Sequence, residues 1–371
     1  MYEHLKWQFE LDEYIRQGEP GRADRSRAWK VGIGLQAVDG LQTSAYLLDT
    51  AKEHIEGGIS IDEVQERLRS YYEQRTERTV PEDDTREADL VAARIAEILG
   101  EKTFQFSPAE WTAIHRRLFD GVYDHAGKIR TYNITKKEWI LRGESVIYAA
   151  WDSIEDTLRY DFETERNFSY RGLSMGQTVK HLAKFTSDIW QIHPFLEGNT
   201  RATAVFLIKY LKTLGFDVNN NMFAEHSWYF RNALVRANYN DLKNGVHADT
   251  RYLEQFFENL LLGAEHELKN RYMHLDYSAY AGGDRLREDE KLPWLQSANF
   301  DMPKCQIDAL DGILELIEAN PQITQKELAE KTGKSLRTIS RIMISLQENG
   351  LIRRVNGKRF GCWAINRRTL P

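Results

Sequence analysis

Cysteine is scarce in this sequence, which contains Cys305 and Cys362 alone. The two residues lie far apart, and neither belongs to a C-x-x-C pair or to a Cys/His set with the spacing of zinc ligands. A disulfide framework and a zinc site are therefore not indicated. This composition fits a reducing compartment, and we expect a cytoplasmic location.

Long apolar runs are missing as well. No stretch of about 18 apolar residues occurs, so no transmembrane helix is predicted, and the polar segment Met1–Trp7 lacks the apolar core of a signal peptide. The sequence predicts a soluble, intracellular protein. Its 371 residues, 42% of them hydrophobic, are enough for two or three domains with cores of their own.

The charge is unevenly distributed along the chain. The formal net charge is −6, yet residues 321–371 hold 11 lysines and arginines against 3 acidic residues. A basic segment of this kind is typical of a region that meets nucleic acid.

The stretch from 193 to 201, His-Pro-Phe-Leu-Glu-Gly-Asn-Thr-Arg, combines residue types that handle phosphate esters. Apolar residues recur at helical spacing before it, up to Ile192, and after it, from Ala202 to Leu211. The pattern predicts a helix, a loop and a second helix. The loop then lies at the N-terminus of the second helix.

Such a helix N-terminus is suited to anions. The main-chain N–H groups of Gly198, Asn199 and Thr200 would be unpaired donors of the first turn, and the helix dipole would add to their attraction. A phosphate is the natural occupant. Arg201 could neutralise phosphate oxygens with its planar guanidinium group.

Two further side chains in this stretch have catalytic chemistry. Glu197 is an oxygen ligand suited to Mg²⁺, and His193 could take a proton from an attacking hydroxyl near neutral pH. Taken singly, a histidine beside an apolar helix is more often a core residue, and a glutamate at a helix start is an ordinary dipole partner. Their combination at this spacing favours a catalytic site.

The stretch resembles the signature of the Fic (Fido) family, H-x-F-x-[DE]-G-N-G-R-x-x-R, at six of its eight defined positions. The resemblance implies transfer of a nucleoside monophosphate, most often AMP from ATP with Mg²⁺, to a Ser, Thr or Tyr hydroxyl of a protein. Thr200 replaces the second glycine of the signature, and Ala204 replaces its second arginine. The family uses that arginine on the γ-phosphate, so the nucleotide stays open.

The N-terminal 75 residues are predicted to form a small helical module. Apolar residues follow helical spacing over Gly32–Asp49 and Ile61–Tyr72, with a glycine-rich turn at Glu56–Gly58 between them. A plain packing module is one interpretation. The other is a resemblance to the antitoxin-like modules that regulate Fic enzymes.

Those modules carry an inhibitory motif, [ST]-x-x-x-E-[GN]. Two segments approach it, Leu35–Gly40 with Asp for Glu and Leu for Ser, and Lys52–Gly57 with Lys for Ser. The resemblance makes Asp39 and Glu56 regulatory candidates. Because the partner arginine is Ala204 here, the inhibitory motif is expected to be lost or to work differently.

A charged stretch with one proline, residues 76–87, is predicted to be a linker. Amphipathic helices follow at Ala88–Leu99 and at Pro108–Phe119, the second with Ser107 as its N-cap. They open a predicted catalytic domain over residues 88–276. A second linker is predicted at 277–304.

Alternating residues over Gly127–Leu141, a turn at 142–145 and a return at Val146–Tyr148 predict a lone β-hairpin. Its unpaired edge could bind an extended target segment by strand addition, although an ordinary surface hairpin is the alternative. Gly-Lys-x-Arg at 127–130 resembles the start of the Fic flap that clamps the target. The flap candidates are Arg130, Thr131, Tyr132, Asn133, Ile134, Thr135, Lys136 and Lys137.

The segment Ser227–Tyr239 reads as a helix with an aromatic and amide-bearing face. Related Fic helices line the nucleotide pocket, so Tyr229, Asn232 and Tyr239 are candidates for contact with the base or ribose. A core role for the aromatic residues is the alternative. Tyr252–Leu262 is predicted to close the domain.

Residues 305–371 read as a winged helix-turn-helix. Helices are predicted at Ile307–Ala319, Gln325–Lys331 and Ser335–Glu348, followed by a hairpin around Asn356-Gly357. Basic residues on the third helix and the wing are DNA-binding candidates, with protein contact or dimerisation as the alternative. They are Lys334, Arg337, Arg341, Arg353, Arg354, Lys358 and Arg359.

The predicted fold is thus mainly α, with an all-helical Fic core, a β-hairpin flap and a C-terminal winged helix-turn-helix. The predicted function is AMP transfer to a protein hydroxyl, regulated through DNA binding. Two alternatives are a nucleotide-sensing transcriptional regulator with little catalysis and an enzyme that removes AMP. Self-modification and a homodimer are left open.

Overall fold

The structure is a computed structural model that describes residues 7, 11–16, 19–74, 80–218, 221–276, 316–317, 320–332, 339, 343, 352–355 and 362–365. The chain divides into two compact units, Met1–Ser278 and Ala279–Pro371. Each is described by itself below.

The described part of the first unit is built from α-helices joined by short loops and 3₁₀ turns. Its only strand-like pairing is an isolated bridge between Asp241 and Val246. In chain order the helices are α1 Pro20–Gly34, α2 Ala45–Glu56, α3 Ile61–Glu73, α4 Val80–Gly100, α5 Pro108–Phe119, α6 Ile154–Asn167, α7 Met175–Ile192, α8 Asn199–Thr213, α9 Met222–Glu225, α10 Ser227–Ala237 and α11 Arg251–Leu262.

Helix α8 lies at the centre of this unit. Every residue from Asn199 to Leu211 is buried, and α4, α5 and α7 pack around the helix. Phe206 on α8 contacts a group of aromatic rings that includes Trp111 and Phe162. The loop that precedes α8 is therefore held by the core of the unit.

None of the helices described is long and apolar enough to cross a membrane.

The N-terminal helices pack directly on this core. Helix α1 lies along α4 so closely that a Cβ at Gly32 would stand 2.5 Å from the carbonyl oxygen of Ala92. Residues 80–87, predicted to be linker, form instead the first two turns of α4. The charge and the proline that suggested a linker are also compatible with a helix start, where acidic residues and proline are both favoured.

The predicted helix over Gly32–Asp49 is interrupted. Helix α1 ends at Gly34, a 3₁₀ helix covers Leu35–Asp39, and Gly40 takes a φ of +73° that stops the chain from continuing as a helix. Helix α2 then begins anew, capped by the Ser44 hydroxyl. The helix predicted at Ile61–Tyr72 is found as α3, Ile61–Glu73, which begins with a capping box formed by Ser60 and Glu63.

The predicted hairpin over 127–148 is wrong in its hydrogen bonding. The segment is extended at both ends and turns through a 3₁₀ helix at Trp139–Leu141, where Glu138 N donates to Glu144 O and Gly143 N donates to Glu138 O. Side chains take the place of further ladder bonds, since Lys136 N donates to the Ser145 hydroxyl. Alternation of residue types therefore marked an extended segment rather than paired strands.

The described residues of the second unit agree with a winged helix. They include helix α12, Gln325–Thr332, and an antiparallel pair formed by β1, Ile352–Val355, and β2, Cys362–Ile365. Thr324 caps α12, since its hydroxyl accepts from Glu327 N and the Glu327 carboxylate accepts from Thr324 N. Most of the predicted first and third helices lies outside the described residues.

Candidate active site

His193 is the C-cap residue of α7 and has a left-handed backbone, with a φ of +50°. This conformation is uncommon for a residue with a Cβ and costs about 1 kcal/mol or more. It turns the chain sharply out of α7 into the loop before α8. The signature therefore begins on a strained corner, a feature that is frequent at functional sites.

The His193 side chain is buried, with 3% of its surface exposed. Tyr148 from the flap segment stacks on the imidazole at a centroid distance of 4.1 Å, and Nδ1 has no hydrogen-bond partner among the described residues. Burial, together with the positive charge of Lys136, lowers the pKa of His193 well below its ordinary value. The imidazole is therefore neutral at pH 7, as a proton acceptor must be.

Arg130, a predicted flap residue, holds this corner in place. Its guanidinium group donates to the carbonyl oxygens of His193 at 2.8 Å, Tyr132 at 2.8 Å and Ala149 at 2.5 Å. Its main-chain N–H donates to Pro194 O. Arg130 is 3% exposed, so it ties the flap to the signature loop rather than facing a target.

Asn199 closes the loop between α7 and α8. Its side-chain oxygen accepts from Phe195 N at 3.0 Å, and its side-chain nitrogen donates to Phe195 O at 2.7 Å. Both polar ends of this buried amide are used on one residue four positions earlier. The side chain is thus structural, and only the main-chain N–H of Asn199 is left for a ligand.

Gly198 is the N-cap residue of α8, with a φ of +77°. A Cβ here would stand 2.3 Å from the ring of Phe119, so the position requires glycine for space as well as for conformation. No side chain caps this end of α8. The first-turn N–H groups therefore have no side-chain acceptor, which is the geometry that the predicted anion site requires.

Glu197 lies beside this helix end with 55% of its side chain exposed. Its carboxylate forms an ion pair of 2.6 Å with Lys136 of the flap segment. Mg²⁺ is commonly bound by one or two carboxylates, with phosphates and water completing its shell, and an accessible glutamate next to an anion site fits that pattern. No cluster of three metal-binding side chains occurs among the residues described.

Thr200 stands where the family signature has its second glycine. Its hydroxyl accepts from the indole N–H of Trp190 at 2.9 Å, and the residue is 7% exposed. The departure from the signature therefore has a specific partner on α7. The main chain of Thr200 is still part of the first turn of α8.

Arg201 is almost fully buried, and its guanidinium group is occupied by contacts with other side chains. Its Nε lies 2.8 Å from an oxygen of Asp39, and one terminal nitrogen donates to Glu87 at 2.6 Å. The other terminal nitrogen donates to Gln36 at 3.1 Å, and the guanidinium group lies over the ring of Phe119. The sequence predicted Asp39 as a regulatory residue and Arg201 as a phosphate ligand, but not that the two would pair.

The ion pair between Arg231 and Glu138 was not predicted from the sequence. Both carboxylate oxygens of the buried Glu138 accept from the Arg231 guanidinium, at 2.6 and 3.1 Å. Arg231 contributes to the low pKa of His193, so its charge is felt at the corner. The sequence signal was weak, because a charged residue on an aromatic helix face resembles an ordinary surface position.

Other predicted site residues are buried or hydrogen-bonded within the fold. Tyr229 is buried, with its hydroxyl 3.3 Å from Tyr252 O, and Asn232 donates to Asn270 at 2.8 Å. Tyr239 is also buried. Glu56 accepts a hydrogen bond from Tyr14 near the end of α2. These contacts use the polar groups within the fold.

The remaining flap candidates are mostly at the surface. Thr131, Tyr132, Asn133, Thr135 and Lys137 are exposed, whereas Ile134 and Lys136 are half-buried. The Asn133 side chain accepts from Trp151 N at 2.9 Å. The exposed group is thus available to a second molecule.

The DNA-binding candidates are only partly described. Arg353 and Arg354 lie on β1, opposite Ala364 and Trp363 of β2. The other candidates lie outside the described residues, namely Lys334, Arg337, Arg341, Lys358 and Arg359.

A cavity of about 1050 Å³ lies near the far end of α8, lined in part by Lys209, Lys212 and Trp29. None of the signature residues lines it. It is therefore separate from the candidate active site.

Comparison with known families agrees with this geometry. Residues 105–211 match the model of the Fic/DOC family, and residues 308–353 match a winged helix-turn-helix DNA-binding model. The chain thus contains a Fic/DOC domain followed by a winged helix-turn-helix domain. The first match begins at residue 105, so the antitoxin-like nature of the N-terminal helices stays a prediction.

Two relatives are similar to this chain. A probable protein adenylyltransferase, y4lH of Sinorhizobium fredii, is 28% identical over 151 residues, which are 40% of this chain and 73% of the relative. The protein adenylyltransferase VbhT of Bartonella schoenbuchensis is 26% identical over 106 residues. That match covers 29% of this chain and 21% of the length of VbhT.

Proposed function

We propose that this protein is a Fic-type adenylyltransferase that moves AMP from ATP to a hydroxyl group of a protein. The observation that carries the proposal is the position of a buried, neutral His193 next to the uncapped N-terminus of α8. The names of the two relatives support the same activity. A cytoplasmic location, where ATP is available, is part of the proposal.

The phosphates of ATP would lie against the N–H groups of Gly198, Asn199 and Thr200. Main-chain amides at a helix start carry fixed dipoles that cost no reorganisation when charge develops, so they suit a transition state in which charge spreads over phosphate oxygens. Arg201 would attract the phosphates through its charge without a direct hydrogen bond, since its nitrogens already contact Asp39 and Glu87.

Glu197 would hold Mg²⁺ together with the phosphates. When bound, the ion would neutralise phosphate charge and help to orient the triphosphate. Lys136 must leave Glu197 for this to happen, because the two side chains form an ion pair at 2.6 Å.

His193 would act as the general base. The hydroxyl oxygen of the target attacks the α-phosphorus, its proton passes to the imidazole, and the bond to the β-phosphate bridging oxygen breaks to release pyrophosphate. General-base assistance of this kind contributes about 10²- to 10⁴-fold in rate. Tyr148 covers the imidazole, so it must shift before a target hydroxyl can approach.

The target would lie along the flap segment, against the exposed candidates between Thr131 and Lys137. Extended backbone at both ends of this segment could still pair with a target strand. Tyr229, Asn232 and Tyr239 remain proposed contacts for the base or ribose, although the polar groups of Tyr229 and Asn232 have partners within the fold. DNA binding is proposed for the winged helix-turn-helix through its seven basic candidates.

A second function is favoured by one observation, the enclosure of Arg201 by acidic partners while Ala204 replaces the second arginine. Such a site would bind ATP with little turnover, and the protein would act as a nucleotide-sensing regulator. Removal of AMP from a modified protein would need the same histidine and metal site. DNA affinity that changes with ATP, without covalent labelling of any protein, would favour the sensor.

The test is transfer of label from each α-labelled nucleoside triphosphate in the presence of Mg²⁺, read as added mass on intact protein. Wild-type protein should label itself or a protein from a lysate with ATP, and His193→Ala should abolish the label while circular dichroism stays unchanged. His247→Ala, a substitution of an exposed histidine, is the matched control. Undiminished labelling by His193→Ala would refute the assignment.

A further inference from the structure

His115 on α5 contacts both the start of the flap segment and the signature loop, although it does not belong to the signature. It is fully buried. Its Nδ1 lies 2.9 Å from the main-chain nitrogen of Gly127, where the flap segment begins, and its Nε2 lies 2.9 Å from the carbonyl oxygen of Glu197. Its ring stacks on Phe195 at a centroid distance of 3.7 Å.

The two partners fix which nitrogen carries the proton. A main-chain N–H can only donate, so Nδ1 must offer its lone pair to Gly127. A carbonyl oxygen can only accept, so Nε2 must carry the hydrogen that it donates to Glu197. A single neutral tautomer satisfies both bonds, and the other tautomer satisfies neither.

The bond to Glu197 has a consequence on the opposite side of the peptide. The carbonyl of Glu197 and the N–H of Gly198 belong to one planar trans unit, in which they point in opposite directions. Holding the oxygen against α5 therefore aims the N–H of Gly198 away from α5. Glycine at 198 would otherwise let this peptide rotate easily, because glycine tolerates conformations on both sides of φ = 0.

We propose that His115 is a positioning residue that orients the Glu197–Gly198 peptide, so that the Gly198 N–H faces a bound phosphate, and ties that orientation to the start of the flap. The inference rests on the proposed function of the site, since it assigns the phosphate of ATP to this amide. His115 itself touches neither nucleotide nor target.

The proposal can be tested because asparagine and glutamine each replace one nitrogen of the imidazole. His115→Gln puts an amide donor near the position of Nε2, so the bond to Glu197 can form while the one to Gly127 is lost. His115→Asn puts an acceptor near the position of Nδ1 and loses the bond to Glu197. His115→Phe keeps the stacking ring on Phe195 and loses both bonds.

Each variant is made in the full-length His193→Ala protein, so that ATP is not consumed, and its affinities for ATP with Mg²⁺ and for adenosine are measured by calorimetry. Adenosine has no phosphate and reports a general loss of structure. We expect His115→Asn and His115→Phe to weaken ATP binding about 10-fold with unchanged adenosine binding, and His115→Gln to stay within about 3-fold.

Equal loss of ATP and adenosine affinity, or no loss of either, would overturn the proposal. So would ¹⁵N NMR of the wild-type protein showing the proton of His115 on Nδ1. If ATP affinity alone is lost, while the protein with His193 intact transfers no AMP from any nucleotide, this inference stands and the proposed function is refuted.

Discussion

Arg201 and Asp39 form an ion pair, 2.8 Å long, that connects the signature helix α8 to the 3₁₀ helix at Leu35–Asp39. Arg201 is 1% exposed, whereas the Asp39 side chain is 35% exposed. Glu87 on α4 adds a second carboxylate at 2.6 Å. The positive charge of Arg201, in the first turn of α8, is thus balanced by one carboxylate from the 3₁₀ helix and one from α4.

We expect Asp39→Asn to raise AMP transfer by at least about 5-fold, because it removes a negative charge that opposes phosphate binding. The same change should lower the free energy of unfolding by about 1–3 kcal/mol, since one partner of a buried arginine is lost while Glu87 remains. Labelling rates and urea denaturation measure the two effects separately.

Glu56→Gln is the matched control for Asp39→Asn, since it removes the other acidic residue that the sequence marks as regulatory. Glu56 contacts Tyr14 and not Arg201, so its substitution should leave transfer unchanged. A slower rate in Asp39→Asn would mean that the ion pair supports the site rather than restraining it.

The hydrogen bond between Trp190 and Thr200 should contribute to stability rather than to catalysis. Thr200→Val keeps the branched shape but leaves the buried indole N–H without an acceptor, at a cost of about 1–3 kcal/mol. Transfer should change little, because the main-chain N–H at 200 is retained. Denaturation of both single variants and of the double variant with Trp190→Phe gives the coupling between the two residues.

If the hydrogen bond accounts for this cost, the double variant loses less stability than the two single variants added together. Strict additivity would show that Thr200 is stabilising for another reason.

Lys136 should compete with Mg²⁺ for Glu197. Lys136→Gln removes the ion pair of 2.6 Å, so the Mg²⁺ concentration for half-maximal transfer should fall about 2- to 5-fold, as expected for a partly exposed pair. Lys137→Gln, an exposed neighbour, should have no such effect. A rise in the Mg²⁺ requirement after Lys136→Gln would assign the lysine to phosphate binding instead.

His54 should make the fold sensitive to acid. Burial, followed by the charge of Arg25, lowers the pKa of His54 to about 4, and its Nδ1 accepts from Trp29 Nε1 at 2.9 Å. The unfolded chain titrates near 6.5 and so binds more protons between pH 6.5 and 4. The stability from His54 is therefore present above pH 6.5 and lost as the pH falls towards 4.

In His54→Asn the acceptor for Trp29 is retained but the titrating group is gone. Because His54 is only half-buried and partly screened by solvent, the variant should lose about 1 kcal/mol less unfolding free energy than the wild type between pH 7 and 4.5. Urea denaturation at the two pH values measures this difference. Parallel losses in the two proteins would assign the acid sensitivity to other groups.

The parts of the site that the sequence predicted well are local. The loop from His193 to Thr200 and the two helices beside it follow from apolar spacing and residue chemistry within about thirty positions. The winged-helix strands followed likewise from the Asn356-Gly357 turn signal.

What the sequence could not show depends on contacts between distant segments. Arg201 forms ion pairs with Asp39 and Glu87, which both lie far from it along the chain. Nothing in the local sequence distinguishes a surface aspartate from one that pairs with a buried arginine. The hairpin failed for a related reason, because the side chain of Ser145 takes a bond that a ladder would have used.

The left-handed backbone of His193 determines which substitution gives the more stable inactive form of this protein. Alanine at 193 would remove the imidazole but keep the unfavourable φ of +50°. Glycine would remove both, and the His193→Gly protein should exceed His193→Ala in unfolding free energy by about 1 kcal/mol. Such a protein would be the better reagent for trapping targets, and the difference would measure how much folding stability is given up to present an imidazole at this corner.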